Sequence, residues 1–275
     1  MERPFRQVDV FGSGPYTGNP VAVVLDGQGL SDDEMQRLAN WTNLSETTFV
    51  LEPEDPEADY RLRIFTPVSE LPFAGHPTVG SAYAWLQSGG SPRRPNAVIQ
   101  ECAAGLVKLR PTADRVAFEA PPMLRSGPVE EDLVDELGAV FGIGQAAIVD
   151  SHWVDNGPGW VALLLASAEE VLAVRPGFVD RSVGVVGPYP PDGPAAFEVR
   201  GFFPKDGAMV EDPVTGSLNA SLAQWLLSSG RASAPYVASQ GTALGRAGQV
   251  FIEEHEGSVW VGGTAVTCIE GSVEL

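Results

Sequence analysis

His76 and Asp212 stand in two stretches of this chain that repeat one pattern: an ionisable residue before a proline, then Gly-Ser, then an apolar run. The stretches are Pro72-Phe73-Ala74-Gly75-His76-Pro77-Thr78-Val79-Gly80-Ser81 and Val210-Glu211-Asp212-Pro213-Val214-Thr215-Gly216-Ser217. Aligned on Pro77 and Pro213, they bring His76 over Asp212, Gly80 over Gly216 and Ser81 over Ser217 without a gap. A helix N-terminus presents unpaired backbone N–H groups and the positive end of the helix dipole. Two such starts, each with an acid/base side chain beside it, are suited to holding the carboxylate of a small anionic substrate and moving a proton on it. Thr215, Gly216 and Ser217, with Gly80 and Ser81, would supply the donors. Two ordinary roles compete with this one: an Asp before Pro is often a plain helix cap, and a loop His is often a hydrogen-bonded capping group. The duplication favours chemistry.

The elements that must position these residues repeat as well. Leu62-Arg63-Ile64-Phe65-Thr66-Pro67 resembles Val199-Arg200-Gly201-Phe202-Phe203-Pro204, and Asn19-Pro20-Val21-Ala22-Val23-Val24-Leu25 resembles Gly159-Trp160-Val161-Ala162-Leu163-Leu164-Leu165 at nearly the same separation. Common order and spacing imply a duplicated domain, since solenoid repeats are far shorter. The expected units are 1–122, completed by a C-terminal strand over 266–275, and 128–265, with a linker in the Pro-rich tract Pro121–Pro128. Short apolar or alternating runs bounded by Gly, Pro and Asp predict many strands, mostly antiparallel, one of them continuous over Val259–Val266. Ser31-Asp32-Asp33-Glu34 is a capping box that opens a helix. Runs from Pro77 to Leu86 and from Gly216 to Leu227 are apolar nearly all round, so each predicts a buried helix with a sheet wrapped about it.

Composition bounds the class. The chain has 275 residues, 36 acidic against 17 basic, and no Lys/Arg cluster, so backbone phosphates would be repelled and no nucleic-acid role is expected. No run of about 18 apolar residues predicts a membrane span. The N-terminal residues lack the apolar core of a signal peptide, so a cytoplasmic enzyme is the expectation. There Cys102 and Cys268 read as two structural thiols. His76, His152 and His255 have no ligand-like spacing, and neither a dinucleotide fingerprint nor a nucleophile elbow is present; neither metal nor cofactor is expected.

Six motifs in one order carry a resemblance: Gly18-Asn19-Pro20-Val21-Ala22-Val23; Asn43-Leu44-Ser45-Glu46-Thr47-Thr48-Phe49-Val50; Arg63-Ile64-Phe65-Thr66-Pro67; Leu71-Pro72-Phe73-Ala74-Gly75-His76-Pro77; Glu211-Asp212-Pro213-Val214-Thr215-Gly216-Ser217; and Gln240-Gly241 with Gly245-Arg246. Together they span nearly the whole chain, which resembles the phenazine-biosynthesis PhzF-like family. The resemblance implies the α+β diaminopimelate epimerase fold, with two pseudo-symmetric domains, each a mostly antiparallel sheet around a central helix. It also implies a site in the cleft between them, and a homodimer. It makes Glu46 the acid/base that takes a proton from one carbon of a cyclic amino or hydroxy acid, such as trans-2,3-dihydro-3-hydroxyanthranilate, and returns one to another. His76 and Asp212 would assist, and Ser45, Gly75, Thr215, Gly216 and Ser217 would bind substrate.

A carboxylate shuttles protons well when burial or a neighbouring charge raises its pKa; Leu44 and Phe49 are the flanking residues expected to bury Glu46. Racemases of this fold use two opposed cysteines, at positions that resemble Gly75 and Asp212 here. Proton relocation by a single carboxylate therefore fits better than two-thiol stereoinversion. A cofactor-free racemase, epimerase or dehydratase on another small acid is the alternative, and a non-catalytic binder a further one. Leu218-Asn219 replaces residues that are commonly small in the family, and is expected to alter the pocket.

Overall fold

The computed structural model describes residues 1–275. Its chain divides into two compact units, Met1–Glu119 with Gly262–Leu275, and Ala120–Val261. In the first unit the order is β1 (Glu2–Val10), β2 (Asn19–Val24), α1 (Asp32–Thr42), β3 (Glu46–Leu51), β4 (Tyr60–Phe65), β5 (Glu70–Leu71), α2 (Gly75–Gln87), β6 (Val98–Cys102), β7 (Gly105–Pro111) and β8 (Val116–Glu119). The second unit opens with β9 (Arg125–Pro128) and α3 (Glu131–Val140). It then repeats the order as β10 (Ile148–Asp155), β11 (Val161–Leu165), α4 (Ala168–Ala173), β12 (Val183–Pro188), β13 (Phe197–Lys205), β14 (Ala208–Asp212), α5 (Gly216–Ser228), β15 (Tyr236–Gln240), β16 (Gly248–His255) and β17 (Ser258–Gly263). The last strand, β18 (Ala265–Glu274), returns to the first unit and pairs antiparallel with β1.

Pairing repeats with the order. β1–β2 and β10–β11 are antiparallel, β2–β3 and β11–β12 parallel, β3–β4 and β12–β13 antiparallel, and β4–β6 and β13–β15 parallel. The fold is thus a mixed, mostly antiparallel α+β architecture written twice. The tract expected to be a linker contains β9, which pairs with β10 from His152↔Pro128 to Asp155↔Arg125. Its prolines mask a short strand, which tolerates Pro at its end. The single strand expected over Val259–Val266 is two, β17 and β18, interrupted at Thr264.

α1 begins as its sequence requires: Ser31 Oγ accepts from Glu34 N while Glu34 Oε2 accepts from Ser31 N. α2 and α5 are buried along most of their first two turns, as helices apolar on every side must be. Close packing is obtained differently in each. Gly80 lets α2 lie against β1 and β2, since a Cβ there would meet Val21 Cγ1 at 2.5 Å and Val10 Cγ2 at 2.8 Å. In the second unit the room is in the sheet, where Gly184 and Gly201 accept Leu218 of α5. Burial of Val161, Leu163, Leu165, Val183, Val185 and Phe202 against Leu137 and Phe141 closes the other face of that sheet beneath α3.

One buried acid gives the second unit a pH signature. Glu198 of β13 is 0% exposed and accepts from the Tyr189 hydroxyl at 2.9 Å. Burial raises its pKa above the ordinary 4.5, against the lowering effect of the Ser239, Thr242 and Tyr189 hydroxyls and of Arg200. A carboxyl whose folded pKa is raised binds its proton more tightly folded than unfolded, so the stability linked to that proton is full at low pH and is lost as pH rises from 4.5 through the folded pKa. Glu198→Gln is expected to gain stability relative to the parent over that interval. Unfolding midpoints of both proteins across pH 4 to 8 check it, and a pH-independent difference would contradict it.

Candidate active site

Glu46 is the first residue of β3, where it sits opposite Val21 of the parallel strand β2. The pleat sends successive side chains to opposite faces. Thr48, on the same parity as Glu46, meets Ser81 of α2 at 2.8 Å between hydroxyls. Thr47, on the other parity, meets Thr42 of α1 at 2.8 Å. Phe49 shares that second face and packs among Met35, Leu38, Ala39 and Phe65. Phe49 therefore does not shelter Glu46, as expected from its nearness in sequence; an odd separation along a strand puts the two on opposite faces. Leu44 is only half-buried in the turn before β3.

What shelters Glu46 is α2. His76, the second residue of that helix, brings Nδ1 to 2.9 Å from Glu46 Oε2, with side chains 4% and 15% exposed respectively. Beneath this first turn lies a buried brace: Tyr60 donates its hydroxyl to Gln100 Oε1 at 2.9 Å, and Gln100 Nε2 donates to Thr78 Oγ1 at 3.0 Å. Gly75 is buried at the helix start, and Ser45 is half-buried directly before Glu46. Gly80 and Ser81 depart from the expectation. They lie inside α2, buried against β1, β2 and Thr48, so they present no donors at a helix start.

In the second unit Asp212 ends β14, and its Oδ2 accepts from Thr215 Oγ1 at 2.7 Å. The residue at the N-cap position of α5 is Thr215, so the plain-cap alternative for Asp212 does not describe this geometry. Gln240 organises the start of α5. Its Oε1 accepts Thr215 N at 3.0 Å and Asn219 Nδ2 at 2.7 Å, while its Nε2 donates to Thr215 Oγ1 at 2.9 Å and to the Asp212 carbonyl at 3.1 Å. Every hydrogen-bonding position of that buried amide is used, which leaves one orientation. Thr215 and Gly216 are buried, and Ser217 is half-buried.

The register differs between the repeats. α2 begins two residues before Pro77, whereas α5 begins three residues after Pro213, so His76 lies within a helix and Asp212 at a strand end. A gapless sequence match cannot show that shift, because proline is tolerated both in a first helical turn and before one. Of the positioning residues at the corresponding strands β6 and β15, Gln100 was missed by motif reading, and Gln240 was quoted within a motif but given no role. Their signal was available as a second pair of polar residues at the repeat spacing. Leu218 and Asn219 also differ from expectation. Leu218 is 0% exposed in the niche left by Gly184 and Gly201, and Asn219 is 2% exposed and bonded to Gln240. Both side chains are spent on packing α5.

Cys102 is in β6, 8% exposed, with its thiol pKa pushed up by burial, and Cys268 is in β18; both are free thiols. A raised thiol pKa reduces the thiolate that acts as a base or nucleophile. Their double replacement by Ala is expected to leave turnover within about threefold. A folded variant without activity would restore thiol chemistry.

The chain thus carries a duplicated sheet-around-helix fold, with a carboxylate and an imidazole in contact at the start of the first central helix. The model of the family described as phenazine biosynthesis-like protein matches residues 8–271, and the chain belongs to that family and is an isomerase. It is 38% identical to antisense-enhancing sequence 1 of Schizosaccharomyces pombe, over 98% of each chain. It is 32% identical to the trans-2,3-dihydro-3-hydroxyanthranilate isomerase of Pseudomonas fluorescens, again over 98% of each. A crystal structure of a phenazine biosynthesis protein of the PhzF family from Enterococcus faecalis superposes with a TM-score of 0.82 at 26% identity, covering 100% of both chains.

Proposed function

We propose that the protein relocates a proton within a small cyclic amino or hydroxy acid, with trans-2,3-dihydro-3-hydroxyanthranilate as the first substrate to test. The observation that carries this reading is the 2.9 Å contact between Glu46 Oε2 and His76 Nδ1 in a pair largely closed to solvent. Glu46 as carboxylate takes a proton from a ring carbon, and the electron pair of that C–H bond moves into the adjacent conjugated system. The protonated Glu46 then gives a proton to a second carbon and is regenerated as carboxylate. The cycle needs no oxidant, reductant or co-reactant, because one C–H bond breaks and another forms.

In this reading His76 fixes the orientation of the Glu46 carboxylate and stabilises its charged form as the proton leaves. Ser45 and Gly75 flank the pair and contact the substrate's polar groups. Asp212 accepts from the substrate's amine or hydroxyl, and Gly216 and Ser217 hold its carboxylate through backbone N–H and hydroxyl donors, while Thr215, whose own N–H and hydroxyl go to Gln240 and Asp212, braces the start of α5 beside them. The test is incubation with trans-2,3-dihydro-3-hydroxyanthranilate in deuterium oxide, followed by NMR. Isomerised product supports the reading, with deuterium at the new C–H position in proportion to how far Glu46 exchanges its proton with solvent and protium where it hands on the one it took; an unchanged substrate excludes this acid.

A further inference from the structure

The turn between β10 and β11 is built around Asp155. Its Oδ1 accepts the backbone N–H groups of Gly157 and Gly159, each at 2.7 Å. Those glycines have φ of 139° and 75°, which most side chains would oppose. The turn so formed delivers two side chains to one residue of α5. Asn156 Nδ2 donates to the Ser217 carbonyl at 2.8 Å, and Trp160 Nε1 donates to Ser217 Oγ at 3.1 Å.

The chemistry of that second bond is directional. An indole N–H only donates, so Ser217 must accept with a lone pair, and its own hydroxyl proton is turned toward some other acceptor. Trp160 is 3% exposed and held in the core, whereas Ser217 is half-buried, at the second residue of α5. In the first unit Pro20 stands at the position of Trp160, and the counterpart serine, Ser81, is 0% exposed with its hydroxyl against Thr48. The arrangement is therefore a property of one repeat and not of the shared scaffold.

We propose that Trp160 and Asn156 are positioning residues for recognition of a carboxylate: together they hold Ser217 with its hydroxyl oriented as a donor to the acid group of the substrate. The inference rests on the reading of Ser217 as a substrate contact. It adds the cause of that contact's geometry and assigns a role to the Asp155–Trp160 turn.

Anthranilate, a ring carboxylate with an ortho amine, is the probe. Its affinity is measured by titration calorimetry for the parent, Trp160→Phe, Ser217→Ala and the double variant, with unfolding midpoints taken alongside. Trp160→Phe keeps an aromatic ring in the core and removes only the N–H. Loss of a hydrogen bond to a charged group is expected to weaken binding about tenfold in Ser217→Ala, and about three- to tenfold in Trp160→Phe. The double variant should bind no more weakly than Ser217→Ala, because the indole acts only through the hydroxyl. Asn156→Ala, at a half-buried position, should weaken binding in the same direction and provides a second route if the tryptophan variant unfolds. Full additivity of Trp160→Phe with Ser217→Ala, or unchanged binding in both Trp160→Phe and Asn156→Ala, would overturn the inference while leaving Ser217 as a contact. If Ser217→Ala binds as the parent does, or the parent binds no anthranilate, the reading of Ser217 falls and the inference falls with it.

Discussion

Glu46→Gln is expected to lower solvent-deuterium incorporation into trans-2,3-dihydro-3-hydroxyanthranilate by about 10²- to 10⁴-fold, the range in which a positioned general acid/base contributes. The substitution is nearly isosteric, so the side chain can keep its 2.9 Å approach to His76 Nδ1. Only basicity is removed. Unfolding temperature should change little, since Glu46 is at the first residue of β3 and the neighbouring Thr48–Ser81 and Thr47–Thr42 contacts are untouched. His76→Asn should fall short of that loss, because it disturbs the orientation of the carboxylate and leaves the base in place. Exchange in Glu46→Gln at the parent rate would remove the single-carboxylate mechanism. Equal losses in both variants would make the imidazole the proton carrier.

The sequence showed the architecture more fully than the site. Apolar runs of strand length and two all-apolar helices demand a sheet around a helix, and their repetition demands two such units; both follow from burial alone. The capping box at Ser31 placed α1 because its bonds are local. The shelter of Glu46 was less visible, since Phe49 is close in sequence but on the wrong face of β3, while His76 is distant and reaches Glu46 through the packing of α2. The start of α5 at Gly216 agrees with the apolar run, but what braces it was not visible, because the network centred on Gln240 depends on a residue 25 positions beyond Thr215. Leu218 could not be placed without Gly184 and Gly201, which reveal nothing until the sheet is assembled. Local signals thus located the motifs, and long-range packing decided how they are held.

The same long-range packing makes Arg200 the residue whose loss should cost the second unit most. Arg200 is 5% exposed on β13, and its Nε and Nη2 donate to the two carboxylate oxygens of Glu211 at 2.9 and 2.7 Å. Its Nη1 donates to the carbonyls of Val171 and Val174 at the end of α4, at 3.2 and 2.8 Å. Arg200→Met removes the partner of a buried carboxylate and takes one donor from each of two carbonyls, which keep only Val174 N and Arg175 Nη1 respectively. Breaking one side of a buried, bidentate pair typically costs about 3–5 kcal/mol, most of it the penalty of the charge left behind. Replacing both partners, as Arg200→Met with Glu211→Met, removes that charge and should recover part of the loss; the bonds lost to the Val171 and Val174 carbonyls keep the recovery incomplete. Denaturant unfolding of the single and double variants measures both quantities. A single variant within about 1 kcal/mol of the parent would mean the pair behaves like a solvent-screened surface contact. A double variant no more stable than the single would place the cost in the α4 carbonyls. Because Glu211 immediately precedes Asp212, the ion pair also anchors the end of β14 from which Asp212 projects, and the single variant should lose activity under conditions where it remains folded.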